Sequence, residues 1–177
     1  MSLFELILTS ISLGSDAFTI SICKGLNSNI KKNALIVALY FGIFQTIMPI
    51  LGFYLGNVFT ERIIKFNPYI STILLVVIGI LMLKEDNSNI DTNLNFKEMI
   101  LLSIATSIDA LVIGISFSFL KVNILLSSII IGIITFIMCF IGFFIGNYGN
   151  KKIGKYSNFI AGIILILLGI KIFISHL

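Results

Sequence analysis

Long apolar runs constrain this chain more than any other feature of its sequence. Runs of about 18 to 22 apolar residues recur along it, and each is long enough to cross about 30 Å of hydrocarbon as a helix. The 177 residues are 58% hydrophobic and 11% charged, with a mean hydropathy of +1.11. Because the runs do not alternate in polarity, they predict helices rather than the strands of a membrane barrel. We therefore expect an all-α integral membrane protein embedded in a lipid bilayer.

Six such spans can be placed along the chain. They are Leu3 to Lys24, Asn33 to Asn57, Pro68 to Lys84, Met99 to Leu120, Asn123 to Asn147 and Ser157 to Ser175. The first span follows no basic leader and contains an acidic residue, which predicts a retained helix rather than a signal peptide. Little sequence remains for a nucleotide-binding domain, and no phosphate-binding glycine motif or His-based catalytic motif occurs. We expect neither an enzyme nor a cofactor.

Basic residues are concentrated on one side of the predicted spans. The first, third and fifth loops with their flanks contain Lys24, Lys31, Lys32, Lys84, Lys97, Lys151, Lys152 and Lys155. The opposite side contains Arg62, Lys65, Lys121 and Lys171. This asymmetry predicts that the three odd-numbered loops are cytoplasmic and that both termini are external. The net charge of +4 is thus explained by membrane topology, and no nucleic-acid partner is expected.

The two halves of the sequence resemble each other. Asp16 aligns with Asp109 at an offset of 93 residues, and residues 51–57 (LGFYLGN) align with residues 141–147 (IGFFIGN) at an offset of 90. The same offsets pair Glu5 with Glu98, Gly42 with Gly132, Gln45 with Thr135, Pro49 with Cys139, and Gly79 with Gly169. Since three is an odd number of spans, the second half must enter the membrane from the opposite side. The pattern predicts two inverted three-helix repeats in one transmembrane domain, 1–88 and 99–177, joined by a linker at 89–98.

Two acidic residues lie deep inside the predicted spans. Asp16 and Asp109 each follow, by eleven residues, an acidic residue in the first turn of their helix, which places both about 16 Å into the membrane from opposite faces. A carboxylate at that depth costs several kcal/mol unless it is protonated, paired or hydrated. No basic residue lies at the same depth. The two aspartates are therefore candidate functional residues, and a protonated carboxyl bonded to a neighbouring helix is the structural alternative.

Neutral oxygens accompany the two aspartates at helical spacing. Ser12 lies four residues before Asp16, Thr106 lies three before Asp109, and the second and fifth spans add an amide and a hydroxyl at mid-depth. Hydrogen bonds to their own or a neighbouring helix are the alternative role of these groups. Oxygen ligands without His or paired Cys suit magnesium, calcium or manganese better than zinc or copper. The candidate metal ligands are Asp16, Asp109, Gln45, Thr106, Ser12 and Thr135.

The sequence resembles the MntP family of manganese efflux pumps over essentially its full length. The resemblance is carried by Ser15-Asp16-Ala17-Phe18 with Ser21 and Lys24-Gly25, by residues 41–46 (FGIFQT) with Pro49 and Gly52, and by residues 105–111 (ATSIDAL). It implies a bacterial inner-membrane exporter related to the lysine-exporter-like superfamily. The resemblance further implies that manganese is the transported substrate and that the two aspartates are functional.

Export of a divalent cation needs an energy source. Moving two charges out against an inside-negative potential costs about 4.6 kcal/mol per 100 mV. Without ATP machinery, the inward proton gradient is the available source, and two carboxyl groups that bind either protons or metal predict an exchange of up to two protons per ion. The alternatives are an exporter of another divalent metal or a small organic cation, and a non-transporting sporulation-type membrane protein.

Overall fold

The chain folds into long helices. The computed structural model describes residues 3–26, 32–84, 96–120, 122–153, 159–160, 163–164, 166–167, 170 and 174. The helices are α1 (Leu3–Leu26), α2 (Lys32–Lys84), α3 (Phe96–Phe119) and α4 (Ile124–Ile153). No strand occurs in these ranges, which confirms the all-α prediction. The sixth predicted span, Ser157 to Ser175, lies largely outside the described residues.

Four helical segments are long and apolar enough to cross a membrane. Within the described part of the chain they are Leu3–Leu26, Asn33–Gly56, Phe96–Phe119 and Ile124–Gly149. Their outer surfaces carry large apolar side chains, such as Phe4 and Tyr54, which are about 70% exposed. Such surfaces require hydrocarbon rather than water around them. The protein is therefore a multi-pass membrane protein, with segments matching the first, second, fourth and fifth predicted spans.

The second helix is longer than the sequence predicted. Two separate spans were expected, ending at Asn57 and starting at Pro68, whereas α2 is continuous over 53 residues. The segment between them contains no glycine, and its residues tolerate helical geometry, so nothing in it stops the helix before the proline. The structure thus does not show six separate helices. At about 1.5 Å per residue, α2 is about 80 Å long, more than twice the thickness of the hydrocarbon layer.

Chain geometry excludes a straight α2. The rings of Tyr40 and Phe96 lie 5.9 Å apart, so the start of α3 adjoins the start of α2. The chain from Lys84 to Phe96 can span at most about 43 Å, whereas a straight helix would place Lys84 about 66 Å from Tyr40. The helix must therefore bend between these positions. Pro68, which lacks a backbone N–H, is the position where a bend costs least.

An ion pair shows that α1 and α3 run in opposite directions. Lys24, in the last turn of α1, donates a hydrogen bond to the Glu98 carboxylate in the first turn of α3. Each charge lies at the helix end that its sign favours. Lys24 is 8% exposed, so the pair is largely withdrawn from solvent and joins the first helices of the two sequence halves.

Two other close helix pairs run in parallel. Along α1 and α4, the successive contacts are Gly14 with Thr135, Phe18 with Gly142, and Ile22 with Gly146. Along α2 and α3, they are Tyr40 with Phe96, Gln45 with Thr106, and Gly52 with Leu111. Both series increase along both helices, which defines a parallel arrangement. The first half of α2 and α3 therefore cross the membrane in the same direction.

The core has two apolar clusters at opposite ends of the helices. One contains Ala17, Ile20, Cys23, Ala34, Val37, Ala38, Phe41, Met99, Leu102, Ala105, Cys139 and Phe143. The other contains Leu6, Phe117, Ile124 and Ile131, with Leu13, Ile50, Phe53, Ile113 and Ile130 packed against it. Between the clusters lies a layer with the buried polar side chains of Gln45, Thr106 and Thr135. We refer to these three side chains and their surroundings as the polar layer.

Candidate functional site

Gln45 lies at the centre of the polar layer and joins α1 to α3. Its side chain is fully buried, and its Nε2 donates hydrogen bonds to the carbonyl oxygens of Leu13 (3.3 Å) and Thr106 (3.2 Å). These two acceptors are equivalent positions of the two sequence halves, since their numbers differ by the 93-residue offset that relates Asp16 to Asp109. One amide group thus holds equivalent points of two antiparallel helices at a common depth.

Two oxygens of the polar layer have no hydrogen-bond partner. Gln45 Oε1 and Thr135 Oγ1 are both buried, and neither atom forms a hydrogen bond with any of the described residues. The Thr135 hydroxyl lies beside Gly14, where an added Cβ would approach it to 3.2 Å. Leaving a buried polar atom unsatisfied costs about 1–3 kcal/mol, and more where no water can reach it. The arrangement offers two neutral oxygens to a ligand that accepts electron pairs.

The two aspartates lie one helical turn from this amide group. Asp16 follows Leu13 by three residues and Asp109 follows Thr106 by three, so each is about 4.5 Å along its helix from a carbonyl that Gln45 binds. Because α1 and α3 are antiparallel, the two displacements point in opposite directions. Both aspartates are half-buried. The two residues therefore lie on opposite sides of the polar layer along the helix axes.

The remaining two candidate ligands behave differently from each other. Thr106 is buried, but its hydroxyl donates to the carbonyl oxygens of Leu102 (3.1 Å) and Ser103 (3.2 Å) in its own helix. Its contribution to the layer is therefore its own carbonyl oxygen.

Ser12 is separated from the other candidate ligands. It is exposed, whereas Ser10 and Gly14, two residues to either side, are buried. Ser12 therefore lies on the exposed face of α1 rather than in the polar layer. This position does not suit the ligand role predicted for Ser12. Spacing from Asp16 alone did not reveal which face of α1 is covered by α4.

The donor set suits a cation that prefers oxygen ligands. No group of three or more His, Cys, Asp or Glu side chains suited to a metal occurs among the residues that the structure describes. Two carboxylates together with neutral oxygens balance the charge of a divalent ion without an excess of negative charge in hydrocarbon.

Sequence reasoning missed two features of this layer. The carbonyl oxygens of Leu13 and Thr106 are main-chain groups, which residue types do not reveal. Gly14 provides room for the Thr135 hydroxyl, although the sequence had given it no role. The sequence repeat could have indicated the two carbonyls, because the offset that pairs the aspartates also pairs Leu13 with Thr106.

Comparisons with known proteins agree on one family. A family described as "Putative manganese efflux pump" matches residues 28–173. A protein of Mannheimia succiniciproducens named "Putative manganese efflux pump MntP" is 42% identical over 99% of this chain and 98% of its own length. Proteins with the same name from Campylobacter jejuni (46% identical, 100% and 98%) and Desulfitobacterium hafniense (43%, 100% and 97%) are also similar. No solved structure matches the chain.

The Thr135→Val substitution tests whether the partnerless hydroxyl binds a cation. Valine keeps the shape and removes the oxygen, so we expect the affinity for Mn²⁺ to fall about tenfold, the effect of about 1.4 kcal/mol. Calorimetric titration of the purified protein with Mn²⁺ measures this. Thr46→Val is the matched control, since the Thr46 hydroxyl donates to the Gly42 carbonyl at 2.9 Å. Unchanged affinity in T135V would exclude this hydroxyl as a ligand.

Proposed function

The chain belongs to the family of MntP manganese efflux pumps, and we propose that it exports Mn²⁺ from the cytoplasm of a bacterium through the polar layer. Membership of this family supports Mn²⁺ as the substrate. The location of the binding site is supported by two buried oxygens without hydrogen-bond partners, Gln45 Oε1 and Thr135 Oγ1, in a layer that lies between Asp16 and Asp109. A divalent ion would satisfy these oxygens and neutralise both carboxylates in a single binding event.

We propose that the carboxyl groups of Asp16 and Asp109 converge on this ion. Their positions one turn from the two carbonyls bound by Gln45 support this arrangement. The amide and hydroxyl oxygens would complete the coordination shell with water. The charged ligands supply most of the binding energy, and the neutral ones set the position of the ion.

Reciprocal contacts support an inverted-repeat architecture. A Cβ on Gly52 would collide with the Leu111 carbonyl in α3, and Gly142 packs in the same way on Phe18 in α1. Gly142 and Phe18 are the repeat equivalents of Gly52 and Leu111. Gly56 also packs on Ile115, and its repeat equivalent Gly146 packs on Ile22. The Pro49 carbonyl contacts Gly114, and the equivalent Cys139 carbonyl contacts Ser21. Each half therefore packs on the other through equivalent positions.

A pseudo-two-fold axis in the membrane plane would explain these contacts. Gly42 and Gly132 are repeat equivalents, and each lies against the carbonyl oxygen of the other. Such a self-reciprocal contact is expected where the axis passes between two helices. The antiparallel directions of α1 and α3 agree with halves inserted in opposite orientations, the arrangement that places transporter sites near the midplane.

The parallel pair of α2 and α3 supports a third crossing between them. Asn33–Gly56 and Phe96–Phe119 run in the same direction, so the chain must return across the membrane between Gly56 and Phe96. The apolar run from Pro68 to Lys84, after the bend in α2, is the available segment. We propose six crossings in total, with both termini external as the basic residues indicate.

Proton exchange supplies the energy in this proposal. In hydrocarbon a carboxyl group favours its neutral, protonated form, whereas a bound divalent cation favours the ionised form. Metal and protons therefore compete for the same two groups. Exchange of up to two protons per ion makes the cycle nearly electroneutral, so the membrane potential no longer opposes export.

Neutralising either aspartate is the direct test of this mechanism. We expect Asp16→Asn and Asp109→Asn each to reduce Mn²⁺ flux in proteoliposomes about a hundredfold, because a charged ligand and a proton carrier are lost together. Mn²⁺ flux and lumenal pH are recorded simultaneously under an imposed pH gradient. Glu5→Gln, at an exposed acidic residue of α1, is the control and should retain wild-type flux. Mn²⁺ flux that neither moves protons nor responds to the gradient would refute the exchange.

Cysteine labelling tests the six-crossing topology. In Ser88→Cys, the new thiol is at the end of the first proposed repeat, in the loop predicted to be cytoplasmic, and should react with a membrane-impermeant maleimide only after permeabilisation of the cells. In His176→Cys, near the external C-terminus, it should react in intact cells. The native Cys23 and Cys139 are buried, which keeps the background low. Labelling of both positions from outside would contradict the six-crossing topology, because three crossings between them must place the two positions on opposite sides of the membrane.

A further inference from the structure

Two buried serines outside the polar layer also lack hydrogen-bond partners. Ser103 in α3 and Ser128 in α4 are fully buried, and neither hydroxyl bonds to any group in the described part of the chain. A serine in a helix normally has a default acceptor, the carbonyl oxygen four residues earlier. These two hydroxyls do not use it. Each hydroxyl therefore adds a desolvation cost that a hydrogen bond to its own helix would avoid.

Neighbouring serines show that the default bond is available in this fold. Ser10, the repeat equivalent of Ser103, is fully buried and donates to the Leu6 carbonyl at 2.6 Å. Ser107, one turn after Ser103 in α3, is fully buried and donates to the Ser103 carbonyl. Burial is thus matched for both serines, and Ser107 also shares the helix of Ser103. The difference lies only in where the hydroxyl points.

The two partnerless serines lie on opposite sides of the polar layer. Ser103 precedes Thr106 by three residues, which places it about 4.5 Å from the layer toward the Lys24–Glu98 end. Ser128 precedes Thr135 by seven residues on the same face of α4, about 10.5 Å from the layer. Because α4 runs parallel to α1, this displacement points away from the Lys24–Glu98 end.

Together, the partnerless oxygens form a series through the bundle. Ser103, then Gln45 with Thr135, then Ser128 follow one another in depth along the helix axes, over about 15 Å. A partly dehydrated cation moving through hydrocarbon needs replacement oxygens on both sides of its binding site. Hydroxyl groups supply such oxygens without adding charge that would trap the ion.

We propose that Ser103 and Ser128 line the route of the transported divalent cation, one on each side of the midplane site. This inference rests on the proposed export function and extends it to specific residues of the pathway. Ser103 receives the ion at the Lys24–Glu98 end, where the proposed orientation places the cytoplasm. Ser128 serves its exit on the other side.

Alanine substitutions in the full-length protein test the route. We expect Ser103→Ala and Ser128→Ala each to slow Mn²⁺ transport in proteoliposomes about tenfold, the effect of losing one hydrogen bond to a charged species. Their thermal unfolding temperatures should equal or exceed that of the wild type, because each substitution removes an unsatisfied buried group. Ser10→Ala and Ser107→Ala are the matched controls, and they should retain transport within about threefold of the wild type.

The outcomes separate this inference from the export function. Transport within about threefold of the wild type in either S103A or S128A would overturn the proposed route. So would an equal loss in the two controls, since the effect would then follow from removing any buried hydroxyl. A wild-type protein that transports no Mn²⁺ would instead overturn the export function on which the route depends.

Discussion

The hydrogen bonds from the Gln45 amide to two backbone carbonyls organise the centre of this protein. In hydrocarbon, no water competes for a polar group, so an amide placed there must bond to protein or to a ligand. Gln45 satisfies its nitrogen with equivalent points of α1 and α3 and leaves its oxygen without a partner. The same interaction thus sets the depth of both aspartate-bearing helices. The site depends on this single side chain for its geometry.

Close helix contacts make that geometry possible. The absence of a Cβ at Gly52 and Gly142 allows a carbonyl of the facing helix to approach closely, to 2.0 Å and 3.0 Å from where the Cβ would be. The two glycines are paired by the sequence repeat. Small residues are the usual means of bringing membrane helices together, since apolar burial gives no advantage in lipid. The backbones approach closely enough for one amide to reach two helices.

The sequence predicted the helical class, four of the spans and a mid-depth position for Gln45 and Thr135, because spans buried in lipid have a strongly apolar composition. The repeat that it predicts pairs Gly42 with Gly132, and these two residues lie in contact. Three features could not be predicted from the sequence. The orientation of Ser12 depends on which face of α1 is covered by α4, and the continuity of α2 depends on a segment with no helix-breaking residue before Pro68. The acceptors of Gln45 are main-chain atoms, which have no residue identity.

The central claim is that one divalent ion binds between the two halves of the chain. Anomalous diffraction from crystals of the protein with bound Mn²⁺ locates the metal independently of any assumption about its ligands. The account predicts one midplane peak with oxygens of Asp16 and Asp109 at coordination distances between those of Mg²⁺ and Ca²⁺, about 2.1–2.5 Å, and with Gln45 Oε1 or Thr135 Oγ1 beside it. A peak at the membrane surface, or one bound by a single aspartate from one half alone, would contradict it.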